Sequence, residues 1–177
     1  IRLSLVGSEM CIRDRFYATQ ARDQAPHYEH TRIGYNYRLS NVCAGIGRGQ
    51  MLSLPSFLEK RRGIHEEYRR RLSGVPGLSL LENPDSRYHS NHWLTCVQVN
   101  PEEARFDRET LRLALQKAGV ESRPLWKPMH LQPVFRSCPF YGSGVSDRLF
   151  EEGLCLPSGA SLAGEDMDRI IDVLLNL

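Results

Sequence analysis

After residue 41 the sequence predicts an α/β domain in which a small sheet has helices packed on one side. Residues 92–100 alternate between apolar and polar side chains, which is typical of a strand with one buried face. Residues 164–177 carry apolar side chains at helical spacing instead. Between them, a predicted helix over residues 107–118 is followed by a predicted strand over residues 120–123, and this strand–helix–strand order is typical of an α/β layer.

Two helices are predicted before the first strand. The first covers residues 41–54, where three closely spaced glycines favour close approach of another backbone over a merely weak helix. Pro55 suits the first turn of a second helix, which is predicted to run to about Ser73. The predicted buried face of this second helix consists of Phe57, Ile64, Tyr68 and Leu72.

The strands and helices of the second half have readable boundaries. A short strand is predicted over residues 78–82, and Asp107 is the predicted N-cap of the helix over residues 107–118. One face of the strand over residues 92–100 carries Trp93, Thr95, Val97 and Val99.

The last elements are predicted as a helix over residues 145–152, a strand over residues 154–156 and the final helix. At the cap position of this final helix stands Ala163, which has no hydrogen-bonding side chain, so we expect a frayed start. Its predicted buried residues are Met167, Ile170, Ile171, Leu174 and Leu175.

Composition excludes several classes of protein. The formal net charge of +2 favours neither a nucleic-acid nor a membrane-surface partner, and no apolar run approaches the length of a membrane span. Five cysteines are scattered without a C-x-x-C spacing, which predicts reduced thiols in a cytoplasmic protein. His27 and His30 lack a third ligand, so we predict no metal site.

A polar cluster in residues 33–41, Ile-Gly-Tyr-Asn-Tyr-Arg-Leu-Ser-Asn, comes directly before the first predicted helix. Ser40 is a good N-cap because its hydroxyl can accept a free backbone N–H. Backbone donors and the helix dipole at such an N-terminus favour an anion. The cluster therefore indicates an anion site, with a capped loop whose tyrosines cover the core as the simpler alternative.

Residues 124–139 contain four prolines and are predicted to form an irregular loop. Trp126, Lys127, Met129 and His130 together offer stacking, a cation and a hydrogen-bonding ring. The alternative is a rigid surface loop with an apolar anchor.

Three stretches together resemble the DegT/DnrJ-type sugar aminotransferases, which are pyridoxal phosphate (PLP) enzymes of fold type I. They are residues 34–41 (Gly-Tyr-Asn-Tyr-Arg-Leu-Ser-Asn), residues 121–133 (Glu-Ser-Arg-Pro-Leu-Trp-Lys-Pro-Met-His-Leu-Gln-Pro) and residues 154–159 (Leu-Cys-Leu-Pro-Ser-Gly). They follow one another in the family's order. The resemblance implies the C-terminal small domain of a fold type I PLP-dependent transferase.

The resemblance also implies a division of the chain. Residues 16–40 correspond to a segment from the large domain that carries the cofactor and dimer motif, and residues 41–177 correspond to the small domain. Residues 1–15 resemble a translated sequencing adapter instead, and we predict a non-native leader there. The lysine that binds PLP covalently lies upstream of the first motif in the family, and no lysine precedes Lys60 here. We therefore expect this chain to be inactive alone.

Site residues follow from the matched motifs. Asn36 corresponds to the asparagine that reaches the cofactor phosphate of the neighbouring subunit of a homodimer, and Arg38 to an arginine suited to the carboxylate of the amino donor glutamate. Trp126, Lys127 and His130 correspond to the loop that faces a nucleotide-linked keto-sugar. This loop is most similar to that of aminotransferases making UDP-4-amino-4,6-dideoxy-N-acetylglucosamine on the way to bacillosamine-type glycans.

Two other functions are compatible with the sequence. A PLP-dependent sugar dehydratase of the same fold carries histidine in place of the cofactor lysine, and that position has no match here. A non-catalytic interaction module, or a nucleic-acid binder built on the basic residues of 60–71, belongs to another class. A nucleic-acid binder would show a steep salt dependence, and the near-neutral charge argues against it.

Overall fold

The structure, a computed structural model, describes residues 9–177. The chain divides into two compact units, Ile1–Ser53 and Leu54–Leu177. The predicted leader lies outside the described residues up to residue 8, and Glu9 begins helix α1 (Glu9–Ala18). That residues 1–15 are non-native stays a prediction.

Helix α2 covers Asn41–Leu72 without interruption. The prediction of two separate helices was wrong, because Pro55 removes one backbone donor without ending the helix. The predicted buried face was wrong at Phe57, which is 37% exposed, and it missed His65, which is 1% exposed. Tyr68 and Leu72 are buried as predicted.

The second unit contains a four-stranded antiparallel sheet in the order β1-β2-β4-β3. Its strands are β1 (Leu78–Leu80), β2 (Thr95–Val99), β3 (Arg123–Pro124) and β4 (Gly153–Leu156). Val97 is paired with Leu80 on one side and with Leu154 on the other. The predicted alternation in the second strand is confirmed for Thr95, Val97 and Val99, whereas Trp93 precedes the strand and is 59% exposed.

Four helices accompany this sheet along the chain. They are α3 (Pro101–Ala104), α4 (Arg108–Lys117), α5 (Val145–Glu152) and α6 (Gly164–Leu175). The core joins the sheet to α2, α4 and α6 through a cluster that includes Tyr68, Leu72, Val97, Leu111, Leu115, Leu154, Ile170 and Leu174. The predicted fold class is confirmed. Short 3₁₀ turns at Met129–Leu131 and Pro133–Phe135 lie in the segment predicted to be irregular.

Helix ends agree with several sequence signals. The Asp107 carboxylate accepts the Thr110 N–H at 2.8 Å, which confirms its predicted capping role. Ala163 makes no side-chain cap, but the Asp166 carboxylate accepts the Ala163 N–H at 3.4 Å. Leu175 is 51% exposed, so its predicted burial was wrong.

None of the helices within residues 9–177 combines the length and apolar character that a bilayer crossing requires.

A buried hydroxyl gives a first testable prediction. The Tyr68 hydroxyl donates to the Pro157 carbonyl at 2.9 Å, and burial raises the pKa of this phenol. Tyr68→Phe leaves that carbonyl without its donor, so the free energy of unfolding in urea should fall by about 1–2 kcal/mol. Tyr88→Phe is the matched control, because Tyr88 is exposed. An equal effect of both substitutions would contradict this role for Tyr68.

Candidate functional site

The motif of residues 33–41 is held against the end of α1 by backbone hydrogen bonds. Tyr35 N–H donates to the Tyr17 carbonyl at 2.7 Å, and Tyr37 N–H donates to the Ala18 carbonyl at 3.0 Å. The Gln20 N–H donates back to the Tyr35 carbonyl at 2.9 Å. Pairing on both sides of Asn36 fixes the backbone of the motif while its side chains stay available.

Glycine is required at position 34 because the backbone there passes close to the backbone of Gln20 and Ala21. A Cβ at this position would collide with the backbone of Gln20 and Ala21. These backbone atoms are held by the hydrogen bonds of the same segment, so they cannot move aside easily.

Gly34→Ala should therefore lower the free energy of unfolding by about 1–3 kcal/mol, measured by urea denaturation of the 177-residue chain. Gly45→Ala is the control, since its added Cβ meets nothing within 4 Å and alanine favours a helix. Equal stability of the Gly34→Ala variant and the parent chain would exclude this close approach.

Asn36 and Arg38 lie exposed on this fixed backbone. The rings of Tyr35 and Tyr37 stack with centroids 5.2 Å apart and an interplanar angle of 8°. Ser40 caps α2 as predicted, because its hydroxyl accepts the Cys43 N–H at 3.2 Å. An amide and a guanidinium therefore directly precede a capped helix N-terminus, where anions are favoured.

The first turns of α2 expose an apolar surface to solvent. Val42, Ile46, Met51 and Leu52 are all exposed, and added Cβ atoms on Gly45, Gly47 and Gly49 would meet nothing within 4 Å. The close packing predicted for these glycines therefore has no partner among residues 9–177 and stays a prediction.

A second group of predicted residues lies on the loop after β3. Trp126 and Lys127 are exposed, and the Gln132 amide donates to the Lys127 carbonyl at 3.5 Å. The ring of Trp126 lies 6.2 Å from that of Trp93, at an angle of 39°. The Arg61 guanidinium, on α2, donates to the Trp93 carbonyl at 2.7 Å, so a hydrogen bond links the backbone of Trp93 to this helix.

His130 is the most firmly positioned residue of this loop. Its Nε2 lies 2.6 Å from Oδ1 of Asp147, an ion pair when the imidazole is protonated, although the contact lacks the angle of a hydrogen bond. The ring stacks on Phe140 with centroids 3.6 Å apart. A carboxylate on one nitrogen and an aromatic ring against one face together fix the orientation of the imidazole.

A cavity of about 630 Å³ opens beside the two tryptophans in the second unit. Its lining includes Trp93, Trp126, Arg123, Cys155 and Arg169. The two flat aromatic side chains can stack on a planar ring, whereas each guanidinium is paired with a carboxylate of the same lining, Arg123 with Glu121 at 2.6 Å and Arg169 with Asp166 at 2.9 Å.

The fold places the predicted site residues in two groups. Asn36 and Arg38 share one turn of the first unit, whereas Trp126, Lys127 and His130 share one loop of the second. Sequence reasoning missed Phe140 and Asp147, which orient His130. A histidine followed at some distance by a carboxylate is too common a pattern to single out.

Four other histidines of the described residues make local contacts. His65 stacks on His92 at 3.7 Å and lies 3.4 Å from the Thr95 hydroxyl. Burial lowers the pKa of His92. His27 lies 3.1 Å from the Glu29 carboxylate, and the ring of His30 contacts the Gln20 carbonyl at 3.0 Å. Within residues 9–177 no group of three or more acidic, cysteine or histidine side chains is arranged to hold a metal.

Comparison with known proteins adds a family. The profile of the DegT/DnrJ/EryC1/StrS aminotransferase family matches residues 9–175. The chain is 40% identical over 167 residues to EpsN from Bacillus subtilis, a candidate pyridoxal phosphate-dependent aminotransferase. The aligned region covers 92% of this chain and 42% of that protein. It is 29% identical to the GDP-perosamine synthase of Vibrio cholerae, over 84% of this chain and 40% of that protein.

Similarity extends to solved structures. The aminotransferase TlmJ from Streptoalloteichus hindustanus superposes with a TM-score of 0.79 and 27% identity, over 95% of this chain and 44% of that structure. The chain therefore spans less than half the length of each of these relatives.

Proposed function

Because the chain belongs to the DegT/DnrJ/EryC1/StrS aminotransferase family, we propose that it is part of a PLP-dependent enzyme that transfers an amino group from glutamate to a nucleotide-linked keto-sugar. The substrate we favour is a UDP-4-keto-6-deoxy sugar, and the product UDP-4-amino-4,6-dideoxy-N-acetylglucosamine would serve bacterial glycan or glycoprotein synthesis. The observation that carries the proposal is the exposed Asn36–Arg38 pair on a fixed backbone beside the capped N-terminus of α2.

The cofactor is pyridoxal phosphate, in agreement with the family and with EpsN. When bound, this group supplies an electron sink for the chemistry at the amino-bearing carbon. The residues present fit its phosphate, because Asn36 offers an exposed amide donor next to a helix N-terminus. We propose that Asn36 holds the phosphate bound in the other subunit of a homodimer.

Arg38 is assigned to the amino donor. A planar guanidinium can donate two parallel hydrogen bonds to a carboxylate, which fixes both position and orientation. Glutamate bound in this way would present its amino group in one direction only. The exposure of Arg38 leaves its donors available to such a ligand.

The loop after β3 is assigned to the sugar nucleotide. His130, oriented by Asp147 and Phe140, can hydrogen-bond a sugar hydroxyl, and Lys127 can neutralise the diphosphate. Trp126 and Trp93 offer faces on which a nucleotide base can stack. The GDP-perosamine synthase relative makes a GDP-linked sugar the competing substrate to test.

We propose a cytoplasmic homodimer in which the absent large domain and the partner subunit cover the exposed apolar surface at the start of α2. Exposed apolar patches of this kind mark interaction surfaces. We propose that the 177-residue chain, which contains no lysine before Lys60, is inactive by itself.

The experiment begins with the complete coding sequence from the source genome. The upstream half should supply a lysine for the cofactor, whereas a histidine there would indicate a dehydratase. The complete enzyme is then assayed with glutamate, PLP and a panel of UDP-, GDP- and dTDP-linked keto-sugars, following 2-oxoglutarate release. Transfer to a UDP-linked sugar supports the proposal, preference for a GDP-linked sugar would move it to the other nucleotide, and transfer to none would reject it.

A further inference from the structure

Two cysteines on neighbouring strands face each other in the second unit. Cys96 of β2 is directly paired with Cys155 of β4, and their sulfur atoms lie 3.8 Å apart. Cys155 is 5% exposed, and Cys96 is half-buried. The two residues are far apart in sequence, so no spacing rule could have joined them.

The backbone shows which kind of pair this is. Leu81 N–H donates to the Cys96 carbonyl at 2.9 Å, so the backbone N–H and C=O of Cys96 point towards β1 and away from β4. Leu125 N–H donates to the Gly153 carbonyl at 3.1 Å, so the backbone groups of Gly153 point away from β2. Because this direction repeats every two residues along a strand, the backbone N–H and C=O of Cys155 also point away from β2.

The cysteines therefore form a non-hydrogen-bonded pair, the position at which opposite side chains lie closest. In such pairs the Cα atoms are typically about 4.5 Å apart, which falls within the range that disulfides span. The strand register thus permits a covalent bond between the sulfurs without moving the backbone out of the sheet.

The chemistry of the two thiols differs. The sulfur–sulfur hydrogen bond, in which either thiol can be the donor, lowers the pKa of Cys155 and raises that of Cys96. Cys155 also lines the cavity beside Trp93 and Trp126, and we infer that a small oxidant reaches the buried thiol pair by this route. The thiolate is the reactive form, and these conditions favour it at Cys155.

We propose that Cys96 and Cys155 form a modification site at which a peroxide oxidises them to a reversible intrachain disulfide. The Cys155 thiolate attacks one peroxide oxygen, the O–O bond breaks, and hydroxide leaves as Cys155 becomes a sulfenic acid. The Cys96 sulfur then attacks that sulfur, and its proton leaves with the hydroxyl as water. Two thiols lose two protons and two electrons, and hydrogen peroxide takes them up to give two molecules of water.

The test uses the unaltered 177-residue chain with hydrogen peroxide as the oxidant. After oxidation, alkylation and proteolysis, we expect a disulfide-linked peptide pair containing Cys96 and Cys155, two hydrogens lighter than its reduced parts. Treatment with dithiothreitol should make both sulfurs available to alkylation again. The exposed Cys43 and Cys138 of the same chain serve as internal controls, and both should remain available to alkylation after oxidation.

Single variants separate this site from general cysteine oxidation. With Cys96→Ser, the resolving thiol is gone, so Cys155 should accumulate oxygen additions or become trapped by a sulfenic-acid reagent. With Cys155→Ser, Cys96 should react at least tenfold more slowly with peroxide than the native pair. Circular dichroism of each variant checks that the fold is kept.

Stepwise oxygen addition to Cys96 and Cys155 in the native chain, without the linked peptide, would overturn the proposal. So would formation of the linked peptide only after unfolding in urea.

Discussion

In the complete enzyme, Arg38→Ala should lower kcat/KM for glutamate by roughly 30-fold to several thousandfold. Removing one partner of a hydrogen-bonded charge pair costs about 2–5 kcal/mol, and the exposed guanidinium is the group assigned to the glutamate carboxylate. The loss should be seen mainly in KM for glutamate, with KM for the keto-sugar nearly unchanged. Initial rates at varied concentrations of both substrates measure this directly.

Two further variants sharpen the Arg38 prediction. Arg38→Lys keeps the charge but loses the planar fork, so it should recover only part of the lost activity. Arg87→Ala is the matched control, since Arg87 is exposed and pairs with Asp85 on a loop of the second unit. An unchanged KM for glutamate in Arg38→Ala would remove this residue from the donor site.

Asn36→Ala should weaken binding of pyridoxal phosphate by roughly tenfold to a hundredfold. A hydrogen bond to a charged group contributes about 1.5–3 kcal/mol, and the carboxamide of Asn36 is exposed on a backbone fixed by pairing with α1. Dialysis followed by absorbance of the retained cofactor, or titration of the apoenzyme, measures the change.

Asn83→Ala provides the control for the Asn36 variant, because Asn83 is an exposed asparagine on a loop of the second unit. Asn36→Asp should weaken cofactor binding further than alanine does, since a carboxylate repels the phosphate. Equal retention of the cofactor by the parent enzyme and Asn36→Ala would refute the assignment.

Local signals in the sequence predicted most of the second unit. The N-cap at Asp107, the alternation ending in Val97 and Val99 and the apolar stripe of α6 each depend on neighbouring residues only, and each is confirmed except at Leu175, the last residue of the stripe. The prediction that Pro55 interrupts the helix was wrong, because the helix tolerates one missing backbone donor within its length.

Contacts between distant residues were beyond the reach of the sequence. Phe140 and Asp147 orient His130 only after the loop has folded back, and Cys96 meets Cys155 only through strand register. Gly34 illustrates a middle case: its place in the motif was evident, but the collision that requires glycine appears only when the segment lies against Gln20 and Ala21.

A mixed-dimer experiment on the complete enzyme tests the central assignment most directly. Subunits carrying Asn36→Ala are combined with subunits whose upstream cofactor lysine is replaced by alanine, and activity is measured at limiting pyridoxal phosphate. If Asn36 serves the partner's cofactor, one site in each mixed dimer joins an intact lysine to an intact asparagine, and activity returns although each parent dimer is impaired. No gain of activity on mixing, with mixed dimers demonstrated, would contradict the account.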